Sequence, residues 1–340
     1  MIQTDAGRVS VSEDVAASVA ASAALVGESG AMSRVRALMD RVAGTDASVL
    51  VIGESGTGKE VVAQALHAGS PRADREFRAV NCGAIPAPLI EAELFGFERG
   101  SFTGATRTHE GIVGQAHGGT LFLDEITEMP MVTQPPLLRF LETRRYFRVG
   151  GARELSTDVR IVAATNRRPA SAVRENRLRE DLYYRLAAFP IELPPLRERG
   201  DDVVELAELF LARLNGAAGT VKRFSAGSLD AACRHSWPGN VRELKHAVEC
   251  AFILGDRVVD LGAALRFSTE LPGHPMPPQD AGDALCVRIG SRLADVERWL
   301  IEATLHRFAG NKRRAADVLG CSVKTLYNKL NRYAQAAGET

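Results

Sequence analysis

The 340-residue chain has no surplus of either charge: 42 lysines and arginines stand against 42 aspartates and glutamates. A polyanionic partner therefore has to be sought in local clusters. Cysteine is scarce. Its five residues, Cys82, Cys233, Cys250, Cys286 and Cys321, are scattered with no C-x-x-C pair, which speaks against a disulfide framework or a zinc site and fits free thiols in a reducing cytosol. Long apolar runs are missing too. The longest uncharged stretch near the N-terminus, Val15 to Gly27, is rich in alanine and serine, too short to span a bilayer, and follows no basic segment. These absences lead us to expect a cytoplasmic protein without membrane insertion. Internal repeats and heptad arrays are also lacking.

What is present is ample core material, 45% hydrophobic residues, enough for two or three domains. One stretch organises the rest. Gly53-Glu54-Ser55-Gly56-Thr57-Gly58-Lys59-Glu60 lies between an apolar run, Ser48 to Ile52, and an amphipathic run, Val61 to His67. Strand, glycine loop and helix in that order make a phosphate-binding loop, because glycines let successive N–H groups turn inward and the helix adds its positive end. Lys59 supplies charge for the outer phosphates. A merely flexible turn is the alternative, and the register of strand, helix and lysine argues against it. Glu60 stands where a hydroxyl usually meets magnesium, so the metal is expected to be held mainly from elsewhere.

Further apolar β-type runs follow at Phe77 to Val80, Thr120 to Leu123, Val159 to Ala164 and Phe189 to Leu193. Their alternation with helical stretches, such as Met32 to Val42, predicts an α/β fold: a mostly parallel sheet flanked by helices. From Asp201 to about Ser268 the pattern turns wholly helical. Four prolines between Thr269 and Asp283 mark a linker. The expected organisation is a mobile tail over 1–24, with no room for a folded sensory domain, then an α/β part over 25–198. A helical part over 199–268, a linker over 269–290 and a terminal helical module over 291–340 complete it.

The strand Gly118-Gly119-Thr120-Leu121-Phe122-Leu123-Asp124-Glu125 ends in two carboxylates. Beside a phosphate loop these suit phosphoryl transfer, with Asp124 holding magnesium through water and Glu125 polarising the attacking water. Acids capping the next helix are the alternative. Asn166 closes a third strand, where its amide could bond the γ-phosphate or the water.

These two motifs resemble the bacterial enhancer-binding proteins, AAA+ ATPases that activate sigma-54 RNA polymerase. So do Glu93-Leu94-Phe95-Gly96-Phe97-Glu98-Arg99 with the following Gly100-Ser101-Phe102-Thr103-Gly104-Ala105, and Trp237-Pro238-Gly239-Asn240-Val241-Arg242-Glu243-Leu244. The resemblance covers about residues 25 to 335. It implies an AAA+ core with a helical lid, ATP and Mg2+ as ligands, and a ring, expected to be a hexamer. Gly100 to Ala105 would be the loop that touches sigma-54, with Ser101 in place of an alanine and Phe102 at its tip. Asn81 matches the family's switch asparagine, Arg179 and Arg185 its arginine fingers into a neighbouring subunit's site, and Arg242 its lid-borne sensor. Pro135 and Pro136 stand where the family has helix formers, so the helix there is expected to begin at or just after Pro135.

Near the C-terminus, Lys312 to Leu319 and Val323 to Tyr333 read as two helices joined at Gly320-Cys321-Ser322. Ser322 is a suitable N-cap, with Val323, Leu326, Tyr327 and Leu330 facing inward. Lys312, Arg313, Arg314, Lys324, Lys329 and Arg332 meet only Asp317 in this stretch. Such a basic face suits the phosphates of double-stranded DNA, with Lys324, Thr325 and Asn328 placed to read bases. A basic hairpin used for protein contacts is the alternative, and the segment resembles the Fis-type helix-turn-helix that closes the family.

The leading expectation is a sigma-54-dependent activator that binds enhancer DNA and remodels the polymerase holoenzyme with ATP. A general ATP-dependent remodelling enzyme lacks a reason for the Phe102 loop and the basic tail. A DNA-binding regulator with a vestigial ATPase lacks a reason for Asp124, Glu125 and the same loop. The short tail further suggests control in trans by a regulatory protein or by expression level.

Overall fold

The computed structural model describes residues 25–269, 280–281, 284–285, 293–308 and 311–337. The expected tail over 1–24, most of the linker and Cys286 lie outside the described residues. The chain divides into two compact units, 1–268 and 269–340.

The first unit is built on five parallel strands: β1 (Val49–Ile52), β2 (Phe77–Asn81), β3 (Thr120–Asp124), β4 (Arg160–Thr165) and β5 (Phe189–Glu192). Their order across the sheet is β2-β3-β4-β1-β5, with Leu50 beside Ala163 and Pro190, and Asn81 beside Asp124. All five predicted strands are present to within a residue at each end. The central strands read as continuous apolar runs because both faces are covered. Leu50, Leu121, Leu123, Ile161 and Ala163 point into one core, while Val49, Val51, Phe122, Val162 and Ala164 point into the other. This is the period-two alternation of a strand sorted between two layers.

Helix α1 (Gly30–Ala43) begins where the Ser29 hydroxyl accepts from the Met32 N–H. It buries Met32, Val35, Met39 and Val42 in the second core, together with α2 (Lys59–Ala68), which follows the phosphate loop. The fully buried guanidinium of Arg160 joins the two helix ends by donating to the carbonyls of Val42, Ala43 and Leu66. Its pKa is pushed down to about 10 by burial. On the other face, α3 (Gln134–Thr143) carries Pro135 and Pro136 in its first turn, where a missing N–H costs no helical bond. It starts one residue before the expected Pro135. Helix α4 (Glu180–Leu186) packs beside it.

The last part of this unit is a helical lid: α5 (Asp202–Ala218), α6 (Ser228–Arg234), α7 (Asn240–Leu254) and α8 (Leu261–Thr269). They close around the fully buried Trp237, whose indole N–H donates to the Ala232 carbonyl. The prediction of a wholly helical region needs one correction. Arg223–Phe224 and Val258–Val259 form a two-residue parallel pair, too short to show a strand period.

The second unit contains α9 (Leu293–Arg307), α10 (Lys312–Val318) and α11 (Val323–Ala337), packed through Ile301, Ala315, Ala316 and Leu326. Asn311 caps α10 by accepting from the Arg314 N–H, and Ser322 caps α11 by accepting from the Thr325 N–H. Gly320 takes the left-handed conformation that the tight turn demands.

Candidate functional site

Parallel strands present their carboxyl ends on one edge of the sheet, and that edge collects the predicted chemistry. The phosphate loop leaves β1, Asn81 ends β2, Asp124 ends β3 with Glu125 next to it, and Asn166 follows β4. Gly56 and Gly58 both have positive φ, giving the loop its inward curl. The Thr57 hydroxyl donates back to the Glu54 carbonyl at 2.8 Å and is buried.

Lys59 is only 7% exposed. Its ammonium donates to the carbonyls of Gly53 at 3.0 Å and Glu54 at 3.3 Å, and lies 3.5 Å from the Glu125 carboxylate. Glu125 itself occupies the left-handed region at φ 51, a strained position for a non-glycine residue. Its carboxylate accepts from the backbone N–H of Asn166 at 3.1 Å. The second acid is therefore held between a loop cation and the end of β4, in front of the phosphate loop.

Asp124 accepts from the Glu125 N–H at 3.0 Å and from the Asn81 amide at 3.3 Å. Asn81 uses its other side-chain atom to accept from the N–H groups of Gly83 and Ala84. The predicted switch asparagine thus touches Asp124 and not Glu125. Asn166 contributes its backbone, while its side chain is exposed. Glu60 is exposed and accepts from Gln64 one turn along α2. The donor set fits a phosphate chain: left-handed glycines, a buried ammonium and a helix N-terminus. Two carboxylates suit a magnesium ion held mainly through phosphate and water, since no cluster of three acidic, histidine or cysteine ligands occurs among the described residues.

The lid also bonds to this loop. Arg242 donates from its backbone to Gly56 and from its guanidinium to the Ser55 hydroxyl at 3.1 Å. A Cβ on Gly56 would strike the Gly239 carbonyl, which is why this position needs glycine. Three further residues were not singled out from sequence. Arg197 makes a forked pair with Glu54 at 2.8 and 2.6 Å. Asn240, fully buried, donates to Glu54 and to the Ser55 carbonyl and accepts from the Leu196 N–H. Arg199 is 2% exposed and donates to the carbonyls of Thr57 and Pro194. The fork of Arg197, then the Asn240 amide, hold the Glu54 carboxyl far below its usual range, to about 2. Burial pushes Arg199 down to about 10. Asn240 lies within the Trp237 to Leu244 motif, but for the two arginines the sequence offers only the run Leu196-Arg197-Glu198-Arg199, which no short-range pattern ties to a loop about 140 residues earlier.

Arg179 and Arg185 are not brought to the phosphate loop of their own chain. Arg179 forks onto Asp181 at 3.0 and 2.7 Å, and Arg185 donates to the Leu141 carbonyl. Both sit at α4, whose Tyr184 is exposed. The backbone N–H of Arg179 is fixed by the buried Gln134 side chain, which also donates to the carbonyls of Met129 and Arg177.

Gly100 to Ala105 form the turn between two short antiparallel strands, Gly96–Phe97 and His109–Glu110. Gly100 and Gly104 have positive φ, and the Gly100 N–H closes the turn onto the Ala105 carbonyl at 2.8 Å. Phe102 remains 41% exposed, with its ring 4.9 Å from that of Phe97. Thr103 is exposed and Ala105 buried. The Ser101 hydroxyl is buried without a hydrogen-bond partner, its Cβ against Gly150.

In the second unit Arg313, Arg314, Lys324, Thr325 and Asn328 are exposed. Tyr327, expected inward, is 45% exposed and carries the Lys312 ammonium 4.3 Å above its ring. Lys329 is tied to Glu297 of α9 at 2.6 Å. The side chain of Arg332 lies outside the described residues.

Comparison with known proteins gives three consecutive matches. The sigma-54 interaction domain matches residues 25–192, an AAA+ ATPase lid domain residues 197–267, and the Fis family of bacterial regulatory proteins residues 292–333. The chain is 43% identical over 321 residues to the transcriptional regulatory protein FlbD of Caulobacter vibrioides, covering 90% of this chain and 69% of FlbD. It is 43% identical over 310 residues to the nitrogen fixation protein AnfA of Azotobacter vinelandii, covering 91% of this chain and 57% of AnfA. Among solved structures it is similar to NtrX from Brucella abortus in complex with ADP. There the TM-score is 0.65 at 34% identity, over 91% of this chain and 68% of NtrX.

Proposed function

The chain belongs to the sigma-54-dependent transcriptional regulators, and on that footing we propose that it hydrolyses ATP to drive open-complex formation by sigma-54 RNA polymerase. The observation that carries this reading is the placement of Lys59 and Glu125 within 3.5 Å of each other at the mouth of the phosphate loop.

In the proposed reaction Lys59 exchanges its carbonyl and carboxylate partners for the outer phosphates. This frees Glu125 to accept a hydrogen bond from the water that attacks the γ-phosphorus. The bond to the β–γ bridging oxygen breaks, and ADP and phosphate leave. Asp124 would hold a magnesium ion, which would supply charge neutralisation on the phosphate oxygens. Asn81, bonded to Asp124, links the end of β2 to this site. Arg242 reads the loop from the lid. Arg179 and Arg185, which bond to Asp181 and to the Leu141 carbonyl rather than to their own loop, are proposed to reach the site of an adjacent copy, where a guanidinium fork meets developing negative charge. A closed ring, a hexamer, satisfies that geometry for every copy at once.

The hairpin tipped by Phe102 is proposed as the contact with sigma-54, an aromatic exposed between two glycines in a polar turn. The capped helices α10 and α11 are proposed to hold enhancer DNA in the cytoplasm. Lys312, Arg313, Arg314 and Arg332 would meet phosphates, and Lys324, Thr325 and Asn328 would reach base edges. Lys329 would join them by leaving Glu297. No helix among the described residues is long and apolar enough to cross a membrane.

The test of the chemistry is ATP turnover by Lys59→Ala and Glu125→Gln chains. The first should lose binding and hydrolysis. The second should bind ATP and hydrolyse it at least about a hundredfold more slowly. Full turnover by Glu125→Gln would contradict the assigned role.

A further inference from the structure

The phosphate loop is bonded to residues from two separate stretches of the chain. Arg197 and Arg199 lie in the turn between β5 and the lid, and Asn240 with Arg242 lie at the start of α7. Between them they bond to four consecutive loop residues: Glu54, Ser55, Gly56 and Thr57. Asn240 adds a bond to the Leu196 N–H, so the turn and the lid helix are also fixed to each other.

Glu54 is the unexpected member. An ionised carboxylate in a loop that receives a polyanion is repulsive if left free. Here the Arg197 fork neutralises it and turns it toward the lid. We propose that Glu54 is a positioning residue that latches the lid to the phosphate loop, so that nucleotide occupancy and lid orientation are set together. The latch rests on the nucleotide-site reading above and deepens it. Any group that fixes the loop in one shape also fixes the lid, and by linkage the lid fixes affinity in the loop.

Simple electrostatics and the latch predict opposite signs, which makes the idea testable. If the carboxylate acts only through charge, Glu54→Gln removes repulsion and tightens nucleotide binding, while Arg197→Gln weakens it. If the pair is a latch, both substitutions weaken binding, and the double variant is no weaker than either single one.

The experiment is calorimetric titration of the full chain with MgADP for wild type, Glu54→Gln, Arg197→Gln and the double variant, with ATP turnover measured in parallel. Each single variant should lose about five- to tenfold in affinity. The double variant should match them. KM for ATP should rise by a similar factor with kcat within about twofold of wild type, because Lys59, Asp124 and Glu125 are untouched. Arg197→Lys, which keeps the charge but loses the fork, should fall between wild type and Arg197→Gln. Without nucleotide the melting temperatures should agree within about 2 °C, since a half-exposed ion pair adds little stability. Tighter MgADP binding by Glu54→Gln, additive losses in the double variant, or a fall in nucleotide-free melting temperature would overturn the latch while leaving the nucleotide site standing. Failure of the wild-type chain to bind MgADP would overturn both.

Discussion

At the residue scale the sharpest departures from ordinary behaviour lie beside the phosphate loop. Cys82 follows Asn81 and is buried, and burial with the charges of Asp124 and Glu125 pushes its thiol up to about 12. A raised thiol pKa leaves the group neutral, and thiolate is the reactive form. Iodoacetamide at pH 8 should therefore modify the exposed Cys233 and spare Cys82 in the native chain. Peptide mass analysis showing equal labelling would contradict that placement. For Glu54 the sign runs the other way. Its folded-state pKa is depressed to about 2, so the clasp with Arg197 is complete above the ordinary 4.5 and is lost as pH falls toward 2. Nucleotide affinity measured between pH 6 and 9 should show no titration through this group. Ser101 offers a third case. Its hydroxyl is buried and unpartnered, so Ser101→Ala should raise stability to urea by up to about 1 kcal/mol, and a loss of similar size would mean that the hydroxyl finds a partner.

At the scale of elements, α3 and α4 show how a position can be prepared at a distance. The Gln134 amide spans the start of α3, the end of the Met129 turn and the backbone of Arg179. Gln134→Ala leaves two carbonyls and one N–H without partners in a buried site. It should destabilise the first unit by about 1–3 kcal/mol in urea unfolding, with ATP turnover reduced through the displaced Arg179. Unchanged stability would show that the helices hold their register without it. Arg160→Met should cost more, about 3–5 kcal/mol, because three helix-end carbonyls lose a buried cation.

These elements also mark what could be read in advance. The five strands were legible because each is a short apolar run bounded by turn residues. The loop, Asp124, Glu125 and the Ser322 cap were legible because their chemistry sits in contiguous residues. The small parallel pair Arg223–Phe224 with Val258–Val259 was not, since two residues carry no period. Nor was the clasp of Glu54, Arg197, Arg199 and Asn240, which joins positions over 140 residues apart. Tyr327 reads as an inward residue on helical spacing alone, yet Lys312 covers its exposed ring and makes a place for it at the surface.

At the scale of the whole molecule, the proposed coupling is that hydrolysis at the Lys59–Glu125 site moves the Phe102 hairpin against sigma-54. If Arg179 and Arg185, which bond to Asp181 and Leu141 in their own chain, serve an adjacent copy as proposed, turnover per chain should rise steeply as the protein is concentrated through its assembly range. Flat turnover down to the isolated chain would show that each copy is complete by itself. Fuel and contact separate most directly in transcription reconstituted with sigma-54 polymerase, ATP and promoter DNA. Open complexes formed by wild type are compared there with those formed by Lys59→Ala and Phe102→Ala, with ATP turnover recorded in the same tubes. Both variants should lose open complexes while only Lys59→Ala loses ATP turnover, and equal open-complex formation by all three proteins would rule out the proposed coupling.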